Sequence, residues 1–151
     1  EQARLLAHDV IVFQHPLFWY STPAILKEWQ DLVLEHGFAY GSEGQALKDK
    51  YFFNAITTGG DQHAYSAEGY QGHELRALLL PLEQTALLCQ MVYLPPLVLF
   101  AAGHAKEESR LEPHAASYAR LIKALRDDKV DIAAALKHAT FNAYLEMWSG
   151  D

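Results

Sequence analysis

Asp9-Val10-Ile11-Val12-Phe13 is a short, apolar, largely β-branched run, the pattern of a strand covered on both faces as in a parallel sheet. Gln14-His15-Pro16 marks its end. Two more runs of this kind follow: Tyr51 to Thr58, closing on Gly59-Gly60, and Leu97-Val98-Leu99-Phe100-Ala101, introduced by Pro95-Pro96. Helical spacing fills the intervals. Ser21 or Thr22 is placed to cap a helix with Pro23 in its first turn, with Ile25, Trp29, Leu32 and Val33 inward and Gly37 as the stop. Glu74 to Met91 is apolar and helical in length, and Pro81 within it either kinks one helix or opens another. A later helix carries Leu111, Ala115, Tyr118, Ile122 and Leu125 on one stripe. Beyond the hydrophilic break Asp127-Asp128-Lys129, a last helix carries Ile132, Leu136, Ala139, Ala143 and Met147 and is a candidate docking or dimer segment.

Strands alternating with helices predict an α/β fold with a doubly wound parallel sheet, because parallel neighbours need crossover helices that cover both faces. Three strands are few for such a sheet. The chain opens on Glu1 to His8, which reads as the tail of a helix with no initiating methionine, so the expectation is a sheet lacking its first strand or strands.

Half the residues are apolar, enough for a continuous core. Asp and Glu outnumber Lys and Arg by 19 to 12, a net charge of -7 that argues against nucleic acid or an anionic membrane as partner. Cys89 stands in the apolar run Leu87 to Met91 and reads as a buried small hydrophobe, compatible with a reducing intracellular compartment. No stretch approaches the ~20 apolar residues that span a bilayer. The expected location is cytoplasmic, with any membrane role peripheral, on the inner face.

In an open α/β sheet, ligands bind beyond the carboxyl ends of the strands. The loop after the first strand, His15-Pro16-Leu17-Phe18-Trp19-Tyr20-Ser21, holds three successive aromatics where polar residues are usual. They suit a planar apolar ligand, and equally a tuck under the next helix or a dimer contact. Thr57-Thr58-Gly59-Gly60 offers two hydroxyl donors and two residues without Cβ, which fits either a close backbone approach to a ligand or a plain turn. Neither loop matches a dinucleotide G-x-G-x-x-G or a Walker phosphate loop. The histidines lack metal-ligand spacing: His8, His36, His104, His114 and His138 read as structural or surface groups, and His63 and His73 stay open near Tyr65.

The string FQHPLFWYSTPAILKEW, then GFAYG, TTGG with Tyr65 five residues after Gly60, LPLEQTALLCQM and LPP together resemble flavodoxin-like NAD(P)H:quinone oxidoreductases. Within these, they are most similar to the ancillary proteins of bacterial glutathione-gated potassium-efflux systems. The resemblance implies a flavodoxin-like domain over residues 1–126 and a helical extension over 127–151. It implies that Pro16, Leu17, Phe18, Trp19 and Tyr20 line a flavin ring, that Thr57, Thr58, Gly59 and Gly60 meet its other edge, and that Tyr65 takes part in hydride transfer. The histidine that some relatives carry six residues after that tyrosine is Gln71 here, so only Tyr65 is carried over as catalytic. The implied cofactor is FMN, with FAD as the alternative; NAD(P)H and a quinone are the implied substrates and a homodimer the implied assembly. A non-catalytic regulatory subunit docked on a potassium-efflux transporter is the rival function. No residue is assigned to the flavin phosphate or to a metal.

Overall fold

The computed structural model describes residues 1–148. A short helix, α1 (Gln2–Leu6), leads into β1 (Val10–Pro16), and α2 (Ala24–Val33) crosses over to β2 (Tyr51–Thr57). Two short helices follow, α3 (Leu75–Leu78) and α4 (Leu80–Leu88), then β3 (Val92–Tyr93), β4 (Leu97–Leu99) and α5 (Leu111–Arg126). The described chain closes with α6 (Ile132–Ala135) and α7 (Phe141–Met147). All the strand pairings are parallel: β2 is central, with β1 on one side and both β3 and β4 on the other. The expected α/β class and parallel sheet are therefore present.

Alternation along the strands divides two cores. Ile11, Phe13, Phe52 and Ile56 face one side, where Val33, Leu79, Leu82 and Ala86 cover them. Phe53, Ala55 and Leu97 face the other side, against Leu121, Ala124, Ala135, Phe141 and Tyr144. Cys89, 1% exposed, belongs to the first core.

Several elements differ from the sequence expectation. β1 runs on through Gln14, His15 and Pro16, because all three still pair with β2, at Ala55, Ile56 and Thr57. The third strand is shorter than expected and has a forerunner, β3; Leu94-Pro95-Pro96 separates the two and takes up one extra residue against β2. Such an insertion is a bulge, and prolines suit it because they have no amide to give the ladder. No side chain caps α2, whose N-cap position is Pro23 rather than Ser21 or Thr22, and the helix ends before Gly37, which serves the following turn at φ +83°. Its inward residues are Leu26, Trp29, Gln30 and Val33, whereas Ile25 and Leu32 are exposed. Pro81 opens α4 instead of kinking a longer helix. On α5 the buried stripe is Tyr118, Leu121, Ala124 and Leu125; Leu111, Ala115 and Ile122 face out.

The final helix is two helices in a different phase. Phe141 is fully buried, while Leu136 and Met147 are exposed. Asp131 caps α6 by accepting from the Ala134 amide, and Thr140 caps α7 by accepting from Ala143. Asn142 then works as a surrogate strand: its Nδ2 donates to the Val98 carbonyl and its Oδ1 accepts from the Val98 amide, both at 2.9 Å. That side chain closes the free edge of β4. Residues 149–151 of the expected extension lie outside the described residues.

Candidate functional site

The loops leaving β1 and β2 are tied together at their roots, where the Leu17 amide donates to the Thr57 carbonyl at 2.9 Å. Beyond that point the first loop makes a tight reversal. Phe18 and Ser21 exchange two backbone hydrogen bonds of 3.0 and 2.9 Å, with Trp19 and Tyr20 between them at φ +50° and +62°. Two successive left-handed residues between a bonded pair are the pattern of a type I′ turn, which ordinarily selects Asn or Gly. Here it carries a Trp and a Tyr. Trp19 is 93% exposed and Tyr20 50% exposed, so neither tucks beneath α2 within the chain.

The second loop is clamped from behind. The Thr58 amide donates to Leu99, the Ala101 amide to Gly60 and the Ala102 amide to Thr58. Arg110 in turn donates to the carbonyls of Phe100 and Ala101. The Thr58 hydroxyl, expected as a ligand donor, is buried and donates to the Gly60 carbonyl at 2.9 Å, so its part is to shape the turn. The turn brings Gly60 against Tyr65: a Cβ at Gly60 would lie 3.0 Å from Ala64 Cβ and 3.2 Å from Tyr65 Cε2. At Gly59 the same atom would meet nothing within 4 Å.

Leu17, Trp19, Tyr20, Gly59, Gly60, Tyr65 and Gln71 converge on one open pocket of about 260 Å³. Of the residues expected at the site, the structure thus brings six to the pocket wall. Pro16 lies on the β1 side of the loop, Phe18 points outward at 57% exposure, and Thr57 and Thr58 support from beneath. His63 and His73 are exposed and outside the lining. Gln71, at the position where histidine was sought, does reach it. Among the described residues no acceptor meets the amides of Trp19, Tyr20, Gly59 and Gly60, leaving four backbone donors in these loops for an outside partner. A larger groove of about 710 Å³ runs along the outer edge of β1, but its walls are mainly that strand with Ile25, Leu26 and Trp29 rather than the loops beyond the carboxyl ends.

The glycines separate support from contact. Gly60→Ala is expected to lower stability by about 1–2 kcal/mol, the cost of forcing a close-packed turn, whereas Gly59→Ala leaves stability within about 0.5 kcal/mol. Both are expected to weaken a ligand seated against the loop, and denaturant melts beside ligand titrations check the split.

Three buried polar groups that strand periodicity did not single out form a slanting row that reaches these loops at one end: Tyr93 is level with Phe52, Asn54 with Phe13, and His15 lies beside Ile56 near the root of the first loop. His15, Asn54 and Tyr93 are 5%, 0% and 6% exposed and form one hydrogen-bonded row across β1, β2 and β3. The signal was present in the sequence as a His and an Asn inside otherwise apolar runs. Burial pushes the His15 imidazole below the ordinary histidine range, only partly opposed by its bond to the Pro16 carbonyl. Burial likewise drives the Tyr93 phenol upward, more than Arg76 beside it draws it down.

His15 therefore makes stability depend on pH. The unfolded chain takes up a proton as pH falls below about 6.5, while folded His15 does so only at lower pH, so this contribution is full above that value and is lost on acidification. Burial lowers His114 in the same direction. Melting temperature measured from pH 5 to 7.5 is expected to fall less steeply on the acid side in His15→Leu than in the parent, with the His114 contribution remaining.

The comparisons with known proteins agree with this architecture. Residues 1–122 match the family model described as flavodoxin-like fold. A curated relative, the glutathione-regulated potassium-efflux system ancillary protein KefG of Serratia proteamaculans, is 48% identical over 118 residues, which is 78% of this chain and 64% of the relative. The chain spans a little under two thirds of the length of such relatives. Among solved structures, general stress protein 14 of Treponema denticola in complex with FMN superposes with a TM-score of 0.75 at 35% identity, covering 82% of this chain and 70% of that one. An NADPH-quinone reductase from P. pentosaceus gives 0.69 at 32% identity, covering 76% and 68%.

Proposed function

The chain belongs to the flavodoxin-like fold family, and from that premise we propose that it is the flavin-ring-binding part of an NAD(P)H:quinone oxidoreductase that uses FMN. The observation that carries the reading is the pocket on which the loops after β1 and β2 converge, with aromatic side chains on one wall and glycine backbone on the other. A flavin ring needs a flat apolar wall and donors for its polar edge. Trp19 and Tyr20 supply the first, and the unpartnered amides of Gly59 and Gly60 the second. The open space at the Gly59 Cβ position lets a planar ring approach the backbone there.

When bound, the flavin supplies the redox chemistry, accepting a hydride from NAD(P)H and passing two electrons to a quinone. The chain's residues do the positioning. Trp19 and Tyr20 flank the ring and exclude water. The loop amides would hold the edge of the flavin that gains negative charge on reduction, each such bond worth about 1–3 kcal/mol because it is charge-assisted. Tyr65, 8% exposed and part of the first core, is held between Gly60 and Phe100, whose ring centre lies 6.2 Å away, and lines the pocket from that position. Gln71 beside it can hydrogen-bond a substrate oxygen but cannot carry a proton as imidazole does.

The further parts of the proposal follow from the same surface. A homodimer would cover Trp19 and the 90% exposed Tyr70 and close the pocket. No helix of the described residues is long and apolar enough to cross a membrane. A cytoplasmic protein that docks peripherally on a potassium-efflux transporter is the accompanying proposal, supported by a relative that is an ancillary protein of a glutathione-regulated potassium-efflux system. In it, residues 1–126 form the flavin domain and 127–151 the extension, of which α6 and α7 cover the sheet's second face. The exposed Leu80, Leu87 and Leu88 of α4 favour the docking part, since apolar side chains in such number want a cover.

Titrating the chain with FMN under visible absorption, then assaying NADH and NADPH oxidation with a small benzoquinone, tests the reading. Saturable binding with turnover is expected. A chain that binds no FMN but co-purifies with the transporter would replace the enzyme with the regulatory subunit.

A further inference from the structure

The row of buried polar groups that reaches the loops has a direction. The Pro16 carbonyl can only accept, so His15 Nδ1, 2.9 Å away, carries the imidazole proton. Nε2 must then accept, and the group facing it at 3.3 Å is the Asn54 Nδ2 amide. Asn54 Oδ1 in turn accepts from the Tyr93 hydroxyl at 2.8 Å. Reversing the Asn54 amide would set its oxygen against an unprotonated nitrogen, so one assignment satisfies every member. The row runs from Tyr93 on β3 through Asn54 on β2 to His15 on β1, and ends on the backbone of Pro16, the last residue of β1 before the aromatic loop.

An apolar trio would fill these three positions at no polar desolvation cost, and such replacements are often neutral or stabilising in cores. What apolar side chains could not do is hold the Pro16 carbonyl. That carbonyl also accepts from the Phe18 amide at 3.0 Å, while the other end of the same peptide unit, the Leu17 amide, is bound to Thr57. The Pro16–Leu17 peptide is thus gripped on both edges, two residues before the left-handed pair Trp19 and Tyr20. A peptide free to rotate there would swing the turn, and with it the aromatic wall.

We propose that His15 is a positioning residue for the flavin loop, acting through the Pro16 carbonyl and itself oriented by Asn54 and Tyr93. The inference rests on the flavin reading for its binding consequence, but not for the hydrogen-bond row, which is a property of the free chain. It places in the service of the site a histidine that is not part of the pocket lining.

Two variants of the full chain separate positioning from packing. In His15→Asn the amide nitrogen falls one bond beyond Cγ, where Nδ1 stood, and restores the donor to Pro16 while leaving volume unfilled. His15→Leu keeps the volume and removes the donor. Both leave the Asn54 amide without its acceptor, so His15→Asn is expected to melt at the same temperature as His15→Leu or lower. FMN affinity is expected in the opposite order: within about threefold of the parent for His15→Asn, and about tenfold weaker for His15→Leu. Affinities that instead follow the melting temperatures would reduce His15 to a packing residue and overturn the proposal. Nitrogen-15 NMR of the flavin-free parent is expected to show the Nδ1–H tautomer, and Asn54→Leu to shift the Leu17 and Phe18 amides. An Nε2–H tautomer, or unmoved amides, would overturn it as well. If the parent binds no FMN, the NMR result alone decides the relay and only the flavin reading is lost.

Discussion

Phe141→Ala is expected to cost about 3–5 kcal/mol of folding stability, seen as a large fall in the urea midpoint, and to do so from outside the segment that matches the flavodoxin-like family model. Phe141 is fully buried and meets Phe53 of the central strand edge to face, with ring centres 5.4 Å apart at 81°. Its amide donates to the Pro96 carbonyl at 2.8 Å, next to the bulge that divides β3 from β4. The following residue, Asn142, pairs with both backbone groups of Val98. Truncation at Phe141 therefore empties a core site and loosens the cover of an open sheet edge together. Met147→Ala, on the same helix but 78% exposed, is expected to stay within about 0.5 kcal/mol of the parent. If Phe141→Ala behaved like Met147→Ala, the C-terminal helices would be an appendage rather than half of the second core.

This segment also shows why some of the fold was not legible. A helix over 132–147 was expected because Ile132, Leu136, Ala139, Ala143 and Met147 are evenly spaced, but even spacing of weakly apolar residues survives a shift of phase. Packing against Phe53 selected Ala135, Phe141 and Tyr144 instead. On α5 the stripe moved in the same way: Leu121 and Ala124 are buried with Phe53, Ala55 and Leu97, whereas Leu111 and Ile122 are exposed. β3 escaped notice because two residues make no pattern, and only pairing with Tyr51 and Phe52 defines them. The long runs of β1 and β2 were legible because a strand buried on both faces leaves few polar exceptions. Those exceptions, His15 and Asn54, carried the information on how the loop is held, but His15 reads in sequence as a strand end, and only the fold brings Tyr93 of β3 to Asn54 to complete the row. The loops after β1 and β2 were legible as a pair because parallel strands must release their ligand loops on the same side.

Trp19→Gly is expected to move stability and flavin affinity in opposite directions. A non-glycine residue in the left-handed region costs about 1–2 kcal/mol, and the turn here holds two in succession, Trp19 at φ +50° and Tyr20 at φ +62°. At 93% exposure the indole makes few contacts in the free chain that could offset that cost. Glycine relieves the strain but gives back part of the gain through the freedom it adds to the unfolded chain, so the net stabilisation expected is about 0.5–1 kcal/mol. The same change removes the largest ring of the pocket wall and is expected to weaken FMN binding by roughly tenfold or more, since a buried aromatic face contributes through both area and ring geometry. Chemical denaturation and FMN titration of the one variant measure the two effects. A stabilised variant with unchanged affinity would mean that Trp19 serves a contact other than the flavin, with the subunit partner next to be tested. A destabilised variant would mean that the turn is held by packing rather than kept under strain. Opposite signs would show that this turn tolerates the unfavourable backbone for the sake of the ligand, and would account for a Trp-Tyr pair at a position that local preference assigns to Asn and Gly.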